Sequence, residues 1–180
     1  DLAENPIILK GGVLIHTFIV YTHPSENSFT YELKEEFISG LEETGHTYEV
    51  SDLYKMDFKT DMSEAEYRRE GFYRREAPVP EDVKREQEKI NRSDALAFIY
   101  PVFWTEAPAK LVGWFDRVWT YGFAYGEDRT MEKLAKALVL CTAGRTKEDL
   151  KEHNHLQSMK NVMLEDRLFD RAKEKEMIVF

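Results

Sequence analysis

The stretch from His23 to Thr30 gathers an imidazole, the Asn27 amide and the hydroxyls of Ser25, Ser28 and Thr30 just ahead of an amphipathic segment. A helix start leaves backbone N–H groups without partners, so this set could cradle a phosphate. Ordinary helix capping by Ser25, Asn27 or Ser28 is the plainer use of the same residues. Neither Gly-x-Gly-x-x-Gly nor Gly-x-x-x-x-Gly-Lys occurs in it, which argues against a dinucleotide-binding Rossmann unit and a P-loop.

Two further stretches complement the first. From Tyr100 to Ala109 a proline turns the chain at Pro101, and Val102, Phe103 and Trp104 follow. Adjacent aromatics there offer stacking surface to a flat conjugated ring, or simply core packing. Cys141, Thr142, Ala143 and Gly144 put a hydroxyl beside a small, permissive backbone, which is also what a routine strand-to-helix turn contains.

Other reactive side chains lack partners of the needed kind. Cys141 has no patterned histidine to lower its pKa, and His153 and His155 lack a third ligand at zinc-like spacing, so neither a catalytic dyad nor a metal site is expected. Arg68, Arg69, Arg74 and Arg75 form a positive cluster that could attract nucleotide phosphates. A solvated face paired with Glu64, Glu66, Glu70 and Glu76 is the expected arrangement.

These stretches need elements to hold them. Val13 to Tyr21 is a continuous apolar and β-branched run, the pattern of a strand covered on both faces. Phe29, Leu33, Phe37 and Leu41 recur at helical spacing until Gly45, and Thr47 to Asp52 alternates as a second strand. Asp94 to Tyr100, Lys136 to Thr142 and Glu176 to Phe180 supply three more strands. Thr105 is positioned to cap a helix carrying Leu111, Phe115, Val118 and Trp119, and a polar helix from about 146 is expected to break near 153–157. Residues 53–80 are too long for an ordinary loop and read as an excursion, with capping-box spacing at Ser63 and Glu66.

Five buried strands alternating with helices predict an α/β domain with a doubly wound parallel sheet, which binds ligands beyond the strands' carboxyl ends. All three chemistry-bearing stretches fall at such ends. Residues 1–12 read as an N-terminal extension and 13–180 as a single domain whose sheet ends without a C-terminal covering helix. With 25 Lys and Arg against 34 Asp and Glu, the net charge of −9 opposes nucleic acid or an anionic membrane as partner. One cysteine and the lack of a long apolar run point to the cytoplasm and against membrane insertion.

Several motifs then coincide in order. His23-Pro24-Ser25 with Ser28-Phe29, Gly45-His46, Asp52-Leu53-Tyr54, Glu86-Gln87 and Pro101-Val102-Phe103-Trp104 lead into Pro108-Ala109 and Gly113-Trp114, then Asp116-Arg117-Val118 and Gly122-Phe123-Ala124-Tyr125. This series resembles the flavodoxin-like NAD(P)H:quinone oxidoreductases. The resemblance implies a flavodoxin-like fold, FMN or FAD as cofactor and NAD(P)H as co-substrate. It implies ping-pong hydride transfer through the flavin to a quinone or similar flat acceptor, without a nucleophilic side chain.

By the same resemblance, His23, Ser28, Phe29 and Thr30 contact the flavin's phosphate and ribityl side. Pro101, Val102, Phe103 and Trp104 line the ring, and Thr142, Ala143 and Gly144 close its other edge. The family's homodimers carry the stretch matching Phe123 to Tyr125 into the partner's site, so Phe103, Trp104 and Tyr125 are the implied substrate walls. No tyrosine follows Tyr125, which leaves the catalytic proton relay unassigned; His155 substitutes only if its loop turns inward. Alternatives on the same fold are an azo-, nitro- or flavin reductase, and an ancillary regulatory subunit of an ion-efflux system.

Overall fold

The computed structural model describes residues 14–180. The extension expected over 1–12, and the first residue of the expected first strand, lie outside the described residues. Five strands, β1 (His16–Tyr21), β2 (Thr47–Asp52), β3 (Ala95–Pro101), β4 (Leu134–Thr142) and β5 (Ala172–Val179), form one parallel sheet in the order β2-β1-β3-β4-β5. The expected flavodoxin-like arrangement is present. β3 lies at the centre with every residue buried, which explains its uninterrupted apolar sequence.

From β1 the chain first adds β2 on one side and then crosses to β3 on the other, so the topological switch point falls between β1 and β3. Strand alternation divides the apolar residues between two faces. Ile19, Tyr21, Ile99 and Leu140 meet the helix α1 (Phe29–Glu43), while Phe18, Val20, Phe98 and Val139 face the larger core. That core is closed by α3 (Glu81–Asn91) and α4 (Ala109–Val118), and by a π-helical stretch, Asn161–Arg167. β5 begins four residues earlier than the sequence suggests, because its exposed charged half, Lys173 to Glu176, hides the strand pattern.

The excursion after β2 is anchored rather than loose. Leu53 and Phe58 enter the core, and α2 (Glu64–Gly71) starts at Ser63 with the expected capping box. Gly113 of α4 lets the two segments touch, since a Cβ there would stand 2.6 Å from the Thr60 carbonyl oxygen. Arg117, also on α4, pairs with Glu66 at 2.7 Å and Asp82 at 2.6 Å and donates to the Lys59 carbonyl at 2.7 Å. One member of the arginine cluster, Arg69, departs from the solvated face expected of it, while Arg68, Arg74 and Arg75 are exposed. Arg68 does pair with Glu64, but Arg69 is buried and donates to the carbonyls of Ala77 and Tyr121 and to Glu70. The Tyr121 carbonyl arrives from a segment 52 positions away, which local spacing cannot reveal.

Candidate functional site at the switch point

The three stretches meet at the carboxyl edge of β1, β3 and β4. Ser28 caps α1, accepting from the Tyr31 amide at 3.1 Å and donating to the Ser25 carbonyl at 3.0 Å. His23 folds back on the same loop, its Nδ1 lying 2.7 Å from the Ser25 carbonyl oxygen and 3.0 Å from the Ser25 nitrogen. Phe29 projects outward with 64% of its surface exposed, whereas Thr30 is buried and its hydroxyl bonds that of Thr142 at 2.8 Å. This bond ties the first stretch to the third. The second joins them through the Val102 amide, which donates to the Thr142 carbonyl at 2.8 Å.

Beyond Pro101 the chain makes a tight hairpin. Phe103 and Glu106 exchange two backbone hydrogen bonds, and the residues between them, Trp104 at φ 51° and Thr105 at φ 68°, are both left-handed. A two-residue turn of this hand usually takes asparagine and glycine; a β-branched threonine there is strained. Thr105 therefore belongs to the turn and does not cap α4, whose first turn follows Pro108 without a side-chain cap. The turn carries Phe103 outward and leaves Trp104 fully exposed. An unpacked tryptophan held on strained backbone is a surface prepared for something flat.

A cavity of about 290 Å³ opens beside this turn, lined by Val102, Trp104, Thr105, Ala143, Gly144 and His155 among others. Four of the predicted ring contacts thus line one cavity. His155 does turn inward: α5 (Lys147–Glu152) stops at His153, Asn154 takes a left-handed conformation, and α6 (His155–Lys160) restarts against the cavity. Arg145 and Leu150 also line it and were not singled out in the sequence; Leu150, an isolated apolar residue among charges, was the available signal. Tyr125 does not line the cavity of its own chain. Its hydroxyl donates to Glu70 at 2.8 Å, and burial with that carboxylate raises its pKa well above the ordinary value.

The residues present suit a flavin nucleotide. The first loop is an acceptor-and-donor set at a helix start, the hydroxyls of Tyr21 and Thr22 are buried beside it without partners, and a side chain at Gly144 would meet nothing within 4 Å. Cys141, by contrast, is inert. It is fully buried, and burial pushes its thiol up to about 12. A thiol-alkylating reagent should leave the folded protein unmodified at neutral pH while labelling the unfolded chain, and mass spectrometry would show rapid native labelling if this is wrong. Among the described residues no group of three or more His, Cys, Asp or Glu could hold a metal ion.

A family model described as Flavodoxin-like fold matches residues 16–168. An NAD(P)H:quinone oxidoreductase from Methanothermobacter marburgensis superposes with a TM-score of 0.89 at 50% identity, covering 93% of this chain and 84% of that one. The chain belongs to the flavodoxin-like NAD(P)H:quinone oxidoreductase family. Family relatives in sequence include NAD(P)H dehydrogenase [quinone] 1 of Cavia porcellus, 35% identical over 62% of this chain, and ribosyldihydronicotinamide dehydrogenase [quinone] of Mus musculus, 34% identical over 72%. The chain spans 46% of the first of these relatives and 64% of the second. No helix among the described residues is long and apolar enough to cross a membrane.

Proposed function

We propose that this protein is a flavin-dependent oxidoreductase that passes reducing equivalents from NAD(P)H to a quinone or a similarly flat acceptor. The observation that carries this reading is the exposed Trp104 on its strained turn, lining one cavity with Ala143 and Gly144 at the sheet's switch point. His23, Ser28, Phe29 and Thr30 would hold the phosphate and ribityl end of FMN or FAD, Pro101 to Trp104 the ring, and Thr142 to Gly144 its far edge. Bound flavin supplies the hydride chemistry, accepting from NAD(P)H and delivering to the acceptor in turn. The chain's own part is to stack, orient and exclude water. His155, at the cavity wall, is placed to deliver a proton from its imidazole to a group held there.

The family's quinone-reducing relatives support the acceptor class, and the single buried cysteine supports a reducing cytoplasm as the working compartment. A homodimer completes the site in this reading, with Tyr125 offered to the partner's cavity; Phe123 and Ala124 are buried in their own chain, so Tyr125 is the accessible member of that stretch.

Reconstitution tests the reading: protein titrated with FMN or FAD should quench flavin fluorescence to a one-to-one end point, and absence of binding by either would refute it. Trp104→Ala should weaken flavin or acceptor binding by roughly 5–30-fold, the worth of about 1–2 kcal/mol of lost stacking, while changing stability by less than about 0.5 kcal/mol because nothing packs on the indole. Isothermal titration alongside a thermal melt separates the two effects. Unaltered binding and turnover would remove Trp104 from the site.

A further inference from the structure

We infer that Glu106 and Arg167 form a positioning pair that sets the distance between the Trp104 turn and the helical segment opening at His155, and so governs how tightly the cavity grips a planar ligand. The inference rests on the proposed flavin site but concerns two residues that the motif series does not include.

A left-handed Trp104-Thr105 pair does not hold itself in place. Two backbone bonds close the hairpin between Phe103 and Glu106, yet these residue types disfavour the conformation, and the indole packs on nothing. Something outside the turn must keep it. Glu106, its last residue, has Oε1 accepting from the Ala107 amide at 2.7 Å and from Arg167 Nη1 at 3.0 Å. One carboxylate oxygen therefore pins the exit of the turn to its own chain and to the last residue of the π-helical stretch.

Arg167 is well fixed in its turn. Its side chain is 14% exposed, its guanidinium lies 4.9 Å from the centre of the Phe115 ring, and its carbonyl accepts from Trp119 Nε1 at 2.6 Å. Phe115 and Trp119 belong to α4 and its end, so Arg167 is set against the core by an aromatic face and an indole hydrogen bond. The π-helical stretch follows α6 directly, and α6 begins with His155, which lines the cavity with Trp104. One ion pair thus spans from the wall bearing Trp104 to the helical run bearing His155. π-helical geometry is uncommon and recurs near functional sites, consistent with a backbone bent to reach a required point.

Glu106→Gln keeps a weaker hydrogen bond and loses the charge; Arg167→Met keeps the packing on Phe115 and loses the pair; Arg167→Lys restores the charge. Hydrogen exchange of the Phe103 and Glu106 amides, measured without flavin, should speed at least about tenfold in Arg167→Met and recover in Arg167→Lys, with amides of β3 unaffected. With FMN as the probe, the dissociation constant should rise about tenfold in Glu106→Gln and in Arg167→Met, stay near that of the unsubstituted protein in Arg167→Lys, and rise no further in the Glu106→Gln/Arg167→Met double variant, because the residues act as one unit.

Exchange rates and FMN affinity within twofold of the unsubstituted protein in Arg167→Met, or additive losses in the double variant, would overturn the pair's role. Failure of the unsubstituted protein to bind FMN or FAD would instead strike the functional reading, and the exchange measurement would still decide whether the pair holds the turn.

Discussion

Replacing Arg117 by alanine should lower the free energy of unfolding by about 3–5 kcal/mol, the cost of leaving buried carboxylates without their partner. The guanidinium is 2% exposed, and it satisfies Glu66, which is 9% exposed, together with Asp82 and the Lys59 carbonyl. Three chain segments converge on that side chain, so its loss detaches the excursion from α4 as well as stranding charge. The same arrangement sets a pH dependence. Burial pushes the carboxyls of Glu66 and Asp82 up, but the Ser63 hydrogen bonds followed by Arg117 on Glu66, and Arg117 on Asp82, hold both below their ordinary values. Groups whose pKa falls on folding stabilise the protein above their unfolded pKa and cease to do so as pH drops through the folded one. Stability should therefore fall as the pH drops below about 4.5, and less steeply in Arg117→Ala. Urea titrations of both proteins between neutral and acid pH check size and slope together; a loss below about 1 kcal/mol at neutral pH would mean the pair is solvated in solution.

The second large effect is expected at Gly144. A Cβ there meets nothing within 4 Å, and the residue lines the cavity, so Gly144→Leu fills ligand space without crowding the fold. Overpacking of about 2–3 kcal/mol against a bound ring corresponds to roughly 30–150-fold weaker flavin binding. The melting temperature of the flavin-free protein should stay within about 2 °C, since no core contact changes. Flavin affinity kept within threefold would show that the ring does not reach Ala143 and Gly144.

Much of this site could be read from residue types because its makers are locally written. β3 announces itself by an unbroken apolar run from Ala95 and ends at Pro101, and the hydroxyl-rich loop after β1 precedes a clear helical stripe. What escaped was set by distant partners. No glycine or asparagine marks Trp104 and Thr105 as a left-handed turn, so Thr105 reads as a helix cap in the sequence, whereas its positive φ and the Phe103–Glu106 backbone bonds place it in the turn. Arg69 looked solvated because its acceptors at Ala77 and Tyr121 are carbonyls, which leave no trace in side-chain patterning. His155 could only be a conditional candidate, since its inward orientation depends on a single left-handed residue, Asn154.

The composition, too, gains meaning from the structure. Ten of the 23 aromatic residues fall between Phe98 and Tyr125. Among them Trp114, Phe115 and Trp119 pack ring against ring in the core, while Phe103 and Trp104 stand exposed on the turn and Trp104 lines the cavity. Phe115 and Trp119 also fix Arg167, which pairs with Glu106 at the end of the turn.

In the proposed reaction one cavity serves donor and acceptor alternately through a bound flavin. An anaerobic titration of the flavin-loaded protein tests it most directly, following the visible absorbance of oxidised flavin. Stoichiometric NADH or NADPH should bleach that absorbance, and subsequent addition of a simple quinone should restore it fully, each step proceeding without the other reactant present. Absorbance that neither nicotinamide nucleotide can bleach, or that bleaches but is not restored by any quinone, would contradict the account.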